Sequence, residues 1–165
     1  AMKKIFGTFG IFILFLQLSG CVSTPMRYVW NGNSVDNKYF SATVEPSLKS
    51  FVLTIKNKTN SDLGLNWDKT LFISNGQTKG RFMIDGTLYK ERNASKPSDI
   101  IFSGGTLSKT IWPNDLVYWS SNQFDPGWKH TSLPGGETGV YLAVVVDGIE
   151  INEKIVGTIL RERIE

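Results

Sequence analysis

Three dipeptides constrain this chain most: Asn75-Gly76, Asp85-Gly86 and Asp147-Gly148. A type I′ turn needs positive φ at both central residues, which Asn or Asp followed by Gly supplies at little cost, so each dipeptide predicts a tight hairpin where alternating apolar runs flank it. The runs are present. Residues 51–56 put Phe51, Leu53 and Ile55 on one face, and 57–60 supply a turn. Residues 63–67 put Leu63, Leu65 and Trp67 opposite Asp62, Gly64, Asn66 and Asp68. Residues 70–74 and 81–84 are read as the arms around Asn75-Gly76, and 87–90 as a strand after Asp85-Gly86. A polar loop at 92–98, short strands at 100–103 and 109–112, an end at Pro113, and a strand at 116–120 follow. Residues 140–146 and 149–160 form the last hairpin around Asp147-Gly148, with a bulge expected at 152–154.

No stretch beyond residue 21 carries a helical stripe of about ten residues. The reading is all-β, an antiparallel β-sandwich of about nine to eleven short strands. A sandwich is preferred to a barrel because the strands are short and irregularly spaced. Residues 53–80 loosely resemble the Ig-like water-stress domains of the late-embryogenesis-abundant type, and the body is similar to small bacterial envelope lipoproteins. The resemblance implies an Ig-like sandwich and little about function.

Residues 2–21 read differently. Lys3 and Lys4 precede a mostly apolar segment, 5–16, that is too short for a bilayer core, which takes about 20 apolar residues. Leu18-Ser19-Gly20-Cys21 resembles the lipobox of bacterial lipoprotein precursors. That resemblance implies cleavage between Gly20 and Cys21, with diacylglycerol and an N-acyl chain on Cys21 and no other cofactor. The expected layout is a signal peptide at 1–20, a lipidated tether at 21–37 and the sandwich at 38–165. Ala1, ahead of Met2, is set aside as extraneous. Tyr28 and Trp30 fit either the membrane interface or a first edge strand packed onto the domain. Val22 and Ser23 lack the aspartate that favours inner-membrane retention in such lipoproteins. This implies an outer-membrane protein facing the periplasm in a Gram-negative host.

Charge points to no nucleic-acid partner. Lys3 and Lys4 leave with the signal and no acid does, so 18 basic residues fall to 16 against 15 acidic. Cys21 is the sole cysteine, so no disulfide is expected. His130 is the sole histidine, and no nucleophile elbow accompanies it, so it reads as an ordinary exposed loop histidine. One histidine and one lipidated cysteine exclude a typical zinc site, and neither Asp68 nor Asp125 lies in an EF-type calcium loop. No metal is expected. Gly104-Gly105 and Gly135-Gly136 open no helix and cradle no phosphate. The sequons at Asn57 and Asn93 are read as turn chemistry.

What remains is aromatic: Trp112, Tyr118, Trp119, Phe124 and Trp128 lie within 17 residues. Adjacent Tyr118 and Trp119 must face opposite sides of a strand, so at least one lies outside the core. The cluster is core packing beneath a loop, a protein-binding hot spot, or a sugar-stacking surface using Trp112, Trp119 and Trp128. The expectation for function is a non-enzymatic, membrane-anchored envelope lipoprotein that binds a protein partner or supports an envelope assembly. Alternatives are a carbohydrate or small-ligand module, a hydrolase using dispersed carboxylates, and a phage- or plasmid-encoded lipoprotein that shields a receptor.

Overall fold

The computed structural model describes residues 26–163. The lipobox, the expected cleavage after Gly20, and Cys21 lie outside the described residues. Fourteen strands follow in order: β1 (Met26–Gly32), β2 (Val35–Asp36), β3 (Phe40–Pro46), β4 (Phe51–Asn57), β5 (Leu63–Leu65), β6 (Leu71–Ser74) and β7 (Gln77–Thr78). Then come β8 (Phe82–Ile84), β9 (Asp99–Ile101), β10 (Thr106–Pro113), β11 (Val117–Ser120), β12 (Gly127–His130), β13 (Gly136–Val146) and β14 (Ile149–Arg163). Short 3₁₀ turns occupy Tyr89–Glu91 and Asn114–Leu116.

The strands form an antiparallel sandwich. One sheet runs β1-β14-β13-β5-β9, with β6 also on β13 and β7 on β6; the other runs β2-β3-β4-β10-β8. A separate hairpin, β11-β12, carries most of the aromatic segment. Alternation sets the core. Val140, Leu142, Val144 and Val146 of β13 are buried, as are Phe40, Ala42 and Val44 of β3 and Phe51, Leu53 and Ile55 of β4. Phe51, Phe72 and Phe82 meet with ring centroids 6.1–6.3 Å apart, joining both sheets. Each such ring pair contributes about 0.5–1.5 kcal/mol beyond its burial.

The final hairpin turns as expected, with Asp147 and Gly148 at φ 49° and 79°. Its register runs unbroken from Gly136↔Ile159 to Val146↔Ile149, so the expected bulge at 152–154 is absent. Glu153, opposite Leu142 on the inward side, accepts a 3.0 Å hydrogen bond from Asn37 Nδ2. The inward acid is satisfied without a kink. Asn75 and Gly76 also take positive φ, but the return arm is the two-residue β7. Residues 82–84, read as that arm, cross to the other sheet and pair with β10. At Asp85-Gly86 only Gly86 has positive φ, the pattern of a type II turn, and residues 89–91 that follow are 3₁₀ rather than strand.

The start of the domain is also clear. β1 pairs with β14 from Met26↔Arg163 to Gly32↔Gly157, and β2 pairs with β3. Residues 26–36 of the expected tether thus contribute strands to both sheets, and Tyr28 and Trp30 pack against the core. Close strand approach fixes two glycines. A Cβ on Gly139 would stand 2.0 Å from the Ile155 carbonyl oxygen, and one on Gly157 would stand 2.3 Å from Gly32 Cα.

Candidate functional site

The aromatic segment folds because its ends are tied to the body. The 3₁₀ turn Asn114–Leu116 leads into β11, and Thr131 N donates to Leu116 O at 2.9 Å just past β12. Leu133 is buried and its N–H donates to Leu48 O at 2.9 Å. Between the two strands, Asn122 Oδ1 accepts from Phe124 N at 2.9 Å, and Lys129 pairs with Asp125 at 2.7 Å.

Register then places the rings. Trp119 opposes Trp128 across the hairpin, with centroids 5.5 Å apart and planes at 78°. Trp128 stacks on Tyr89 at 5.9 Å and 8°, and Tyr89 meets His130 edge-on at 5.5 Å. His130 in turn lies 6.3 Å from Trp112. Three of the five sequence candidates, Trp112, Trp119 and Trp128, thus belong to one continuous row. Tyr118 lies on the opposite face of the hairpin, and Phe124 lies in its loop. Neither enters the ring contacts, and both are exposed along with Trp119. The neighbours Tyr118 and Trp119 both lie outside the core.

Two links in this row, Tyr89 and His130, were not singled out as site residues in the sequence. Tyr89 falls in a stretch read as strand, and no pattern in 87–91 marks a 3₁₀ turn. His130 is half-buried rather than an ordinary exposed histidine. Its Nε2 lies 3.1 Å from the Tyr89 hydroxyl, and its Nδ1 is buried with no hydrogen-bond partner. Burial, and secondarily the positive charge of Lys49, lower its pKa from the ordinary histidine value and favour the neutral ring.

A polar network holds Arg92 in place beside the row. The Arg92 guanidinium lies 4.5 Å from the Trp128 ring centroid, a cation–π contact of about 1 kcal/mol between two half-buried side chains. The loop at 92–98 is anchored on Asp68. Its carboxylate accepts from Arg81 Nη1 at 2.7 Å, from Lys96 N at 3.1 Å, and from the Ser95 hydroxyl. The Ser95 bond is the largest influence holding the Asp68 carboxyl below its ordinary range; burial opposes it, and Lys96 N and Arg81 reinforce it. Asn114 Nδ2 donates to Asn93 Oδ1 at 3.1 Å and to Arg92 O. Arg81 also donates to Asn93 O, and Lys96 Nζ to Arg92 O at 3.0 Å.

Beside the inner end of the row lies an open cleft of about 340 Å³, lined by Met83, Asp85, Thr87, Tyr89, Trp112 and His130 among others. The sequon asparagine Asn57 is fully buried at the end of β4. Its amide donates to Ser61 O, Ile101 O and Phe102 O at 2.8–3.1 Å, which is turn and sheet chemistry. No protein-family model and no curated protein sequence matches the chain.

Proposed function

We propose that this chain is a lipid-anchored, non-catalytic module of the bacterial envelope that docks a protein partner through its aromatic hairpin. The observation that carries the reading is the pairing of exposure with rigidity. Tyr118, Trp119 and Phe124 are 49%, 57% and 85% exposed. Trp119 is held in the row Trp119–Trp128–Tyr89–His130–Trp112, which with Arg92 ties the hairpin to the body, while Tyr118 projects from the hairpin's other face and Phe124 from its loop.

Rigid exposed aromatics suit protein docking, because Trp and Tyr bury large areas while little side-chain freedom is left to lose. A sugar platform built from the three tryptophans is less well supported. Successive rings along the row are inclined by 78°, 8°, 63° and 53°, and Trp128 already stacks with Tyr89 and Arg92. The hairpin also stands outside both main sheets, so a partner can cover it without disturbing the core.

The lipobox resemblance supports the anchor. Two or more acyl chains hold a protein stably at a membrane, and tethering raises its effective concentration toward neighbours on that surface. An outer-membrane protein facing the periplasm is the location this reading takes. Chemical crosslinking in cells followed by mass spectrometry tests the docking. The native lipoprotein should yield a specific envelope protein that the Trp119→Ala variant, at equal abundance, does not capture. Recovery of no specific neighbour, or of the same neighbour with both proteins, would overturn it.

A further inference from the structure

The cleft at the inner end of the row has a different composition from the hairpin surface. Its lining combines the indole of half-exposed Trp112 and the apolar side chains of Met83 and Ile84 with polar groups. Asp85 is exposed, and its carboxylate has no ion-pair or hydrogen-bond partner among the described residues. Thr87 offers a hydroxyl, both donor and acceptor. His130 contributes its ring to the wall, with Nε2 committed to the Tyr89 hydroxyl and Nδ1 buried out of reach of the cleft.

The cleft, at about 340 Å³, is at the small end of the roughly 300–1,000 Å³ range of small-molecule sites. A second hollow, of about 260 Å³, shares Ile84, Asp85, Gly86 and Thr87 and continues past Ser95 and Lys96. The Asp85-Gly86-Thr87 turn therefore borders two adjoining hollows.

We propose that this cleft is a carbohydrate site that takes a neutral pyranose ring, with the ring's apolar face on Trp112 and its hydroxyls on Asp85 and Thr87. Pyranoses present an apolar C–H face and an equatorial fringe of donors and acceptors, which matches one aromatic surface flanked by mixed polar groups. An alkylammonium ligand fits less well. It calls for several open aromatic faces, whereas Tyr89 already stacks on Trp128 and packs against His130. A carbohydrate anion fits less well still, because the unpaired group in the cleft is the Asp85 carboxylate. The site adjoins the docking hairpin at His130, but its proposed ligand contacts are distinct from the exposed Tyr118, Trp119 and Phe124.

The full-length lipoprotein in detergent is titrated with tetrasaccharides of glucose, mannose and N-acetylglucosamine, with choline as a cationic control, and read by tryptophan fluorescence and calorimetry. At least one tetrasaccharide should bind saturably. Asp85→Asn, which keeps the shape and removes the charge, should weaken that binding by about tenfold or more, as expected for the loss of a charged hydrogen-bond partner. Trp112→Leu should abolish binding while leaving the far-ultraviolet circular dichroism intact, and Thr87→Ala should weaken it in a protein whose fold is not at risk. Trp119→Ala should leave it unchanged, so failure of this site and failure of the docking surface are read separately. Absence of saturable binding to all three saccharides, binding of choline alone, or binding unaffected by both Asp85→Asn and Thr87→Ala would overturn the proposal.

Discussion

Replacing Gly139 by alanine tests the packing of the two long strands. The new Cβ would lie 2.0 Å from the Ile155 carbonyl oxygen and 2.8 Å from Val156 Cα. Both are backbone atoms of β14, so no side-chain rotation relieves the overlap. The strand cannot easily retreat, because on its far side Gly157 lies against Gly32 and Asn31 of β1 with equally little room. Overpacking of this kind costs about 1–3 kcal/mol, and breaking a ladder hydrogen bond to make space adds about 1 kcal/mol. The expected destabilisation is therefore about 2–4 kcal/mol. Gly64→Ala, in the same sheet, is the control. Its nearest non-neighbouring atom is Val145 Cβ at 3.9 Å, an ordinary contact, so the substitution should be neutral or stabilising by about 0.4–1 kcal/mol. Urea unfolding followed by tryptophan fluorescence, on a soluble form beginning at Val22, measures both. With a slope of about 1.5 kcal/mol per molar, Gly139→Ala should lower the midpoint by roughly 2 M. A Gly139→Ala midpoint indistinguishable from that of Gly64→Ala would refute the reasoning.

Other outcomes follow from single side chains. Asn57→Ala removes an amide that donates to three carbonyl groups and an oxygen that accepts from Thr59, so it should cost about 2–4 kcal/mol. Hydrogen exchange should then quicken at β9, where Ile101 loses a tie to β4. The folded pKa of Asp68 is depressed, so its contribution to stability is present above the unfolded carboxylate pKa and lost as pH falls through the lower folded value. Ser95→Ala should raise the Asp68 pKa toward its ordinary value, as followed by carbon NMR titration. Cys21→Ala should abolish incorporation of labelled fatty acid and leave an uncut precursor; a correctly cut, mature Cys21→Ala protein would show the lipobox to be misread.

The sandwich was legible wherever local chemistry and burial agreed. Asp147-Gly148 turns as its residue types require, and the alternation at 51–55 and 140–146 marks the two inner faces because those residues bury against each other. Legibility failed where tertiary contacts overrode local signals. Asn75-Gly76 marks its turn, but exposed Gln77 and Thr78 carry no pattern to identify the short return arm. Phe82 instead leaves for the other sheet, where it completes the triad with Phe51 and Phe72. The polar run at 152–154 suggested a bulge, but Glu153 faces inward in an unbroken ladder, and only Asn37, distant in sequence, explains how it is accommodated. For the site, the tryptophans stood out by composition, whereas Tyr89, Arg92 and His130 joined them only through folding. The loop that carries Arg92 is placed by Asp68, and no spacing between residues 68 and 95 advertises that connection.

We propose the aromatic hairpin as the docking surface of a membrane-tethered module. Site-specific photo-crosslinking in living cells tests it most directly. A photoreactive amino acid replaces Phe124, which is 85% exposed and outside the ring row, or Thr54, on the outer face of the opposite sheet, as control. Position 124 should give one discrete adduct, lost with Cys21→Ala, and position 54 should give none. No adduct from position 124, or identical adducts from both positions, would contradict it.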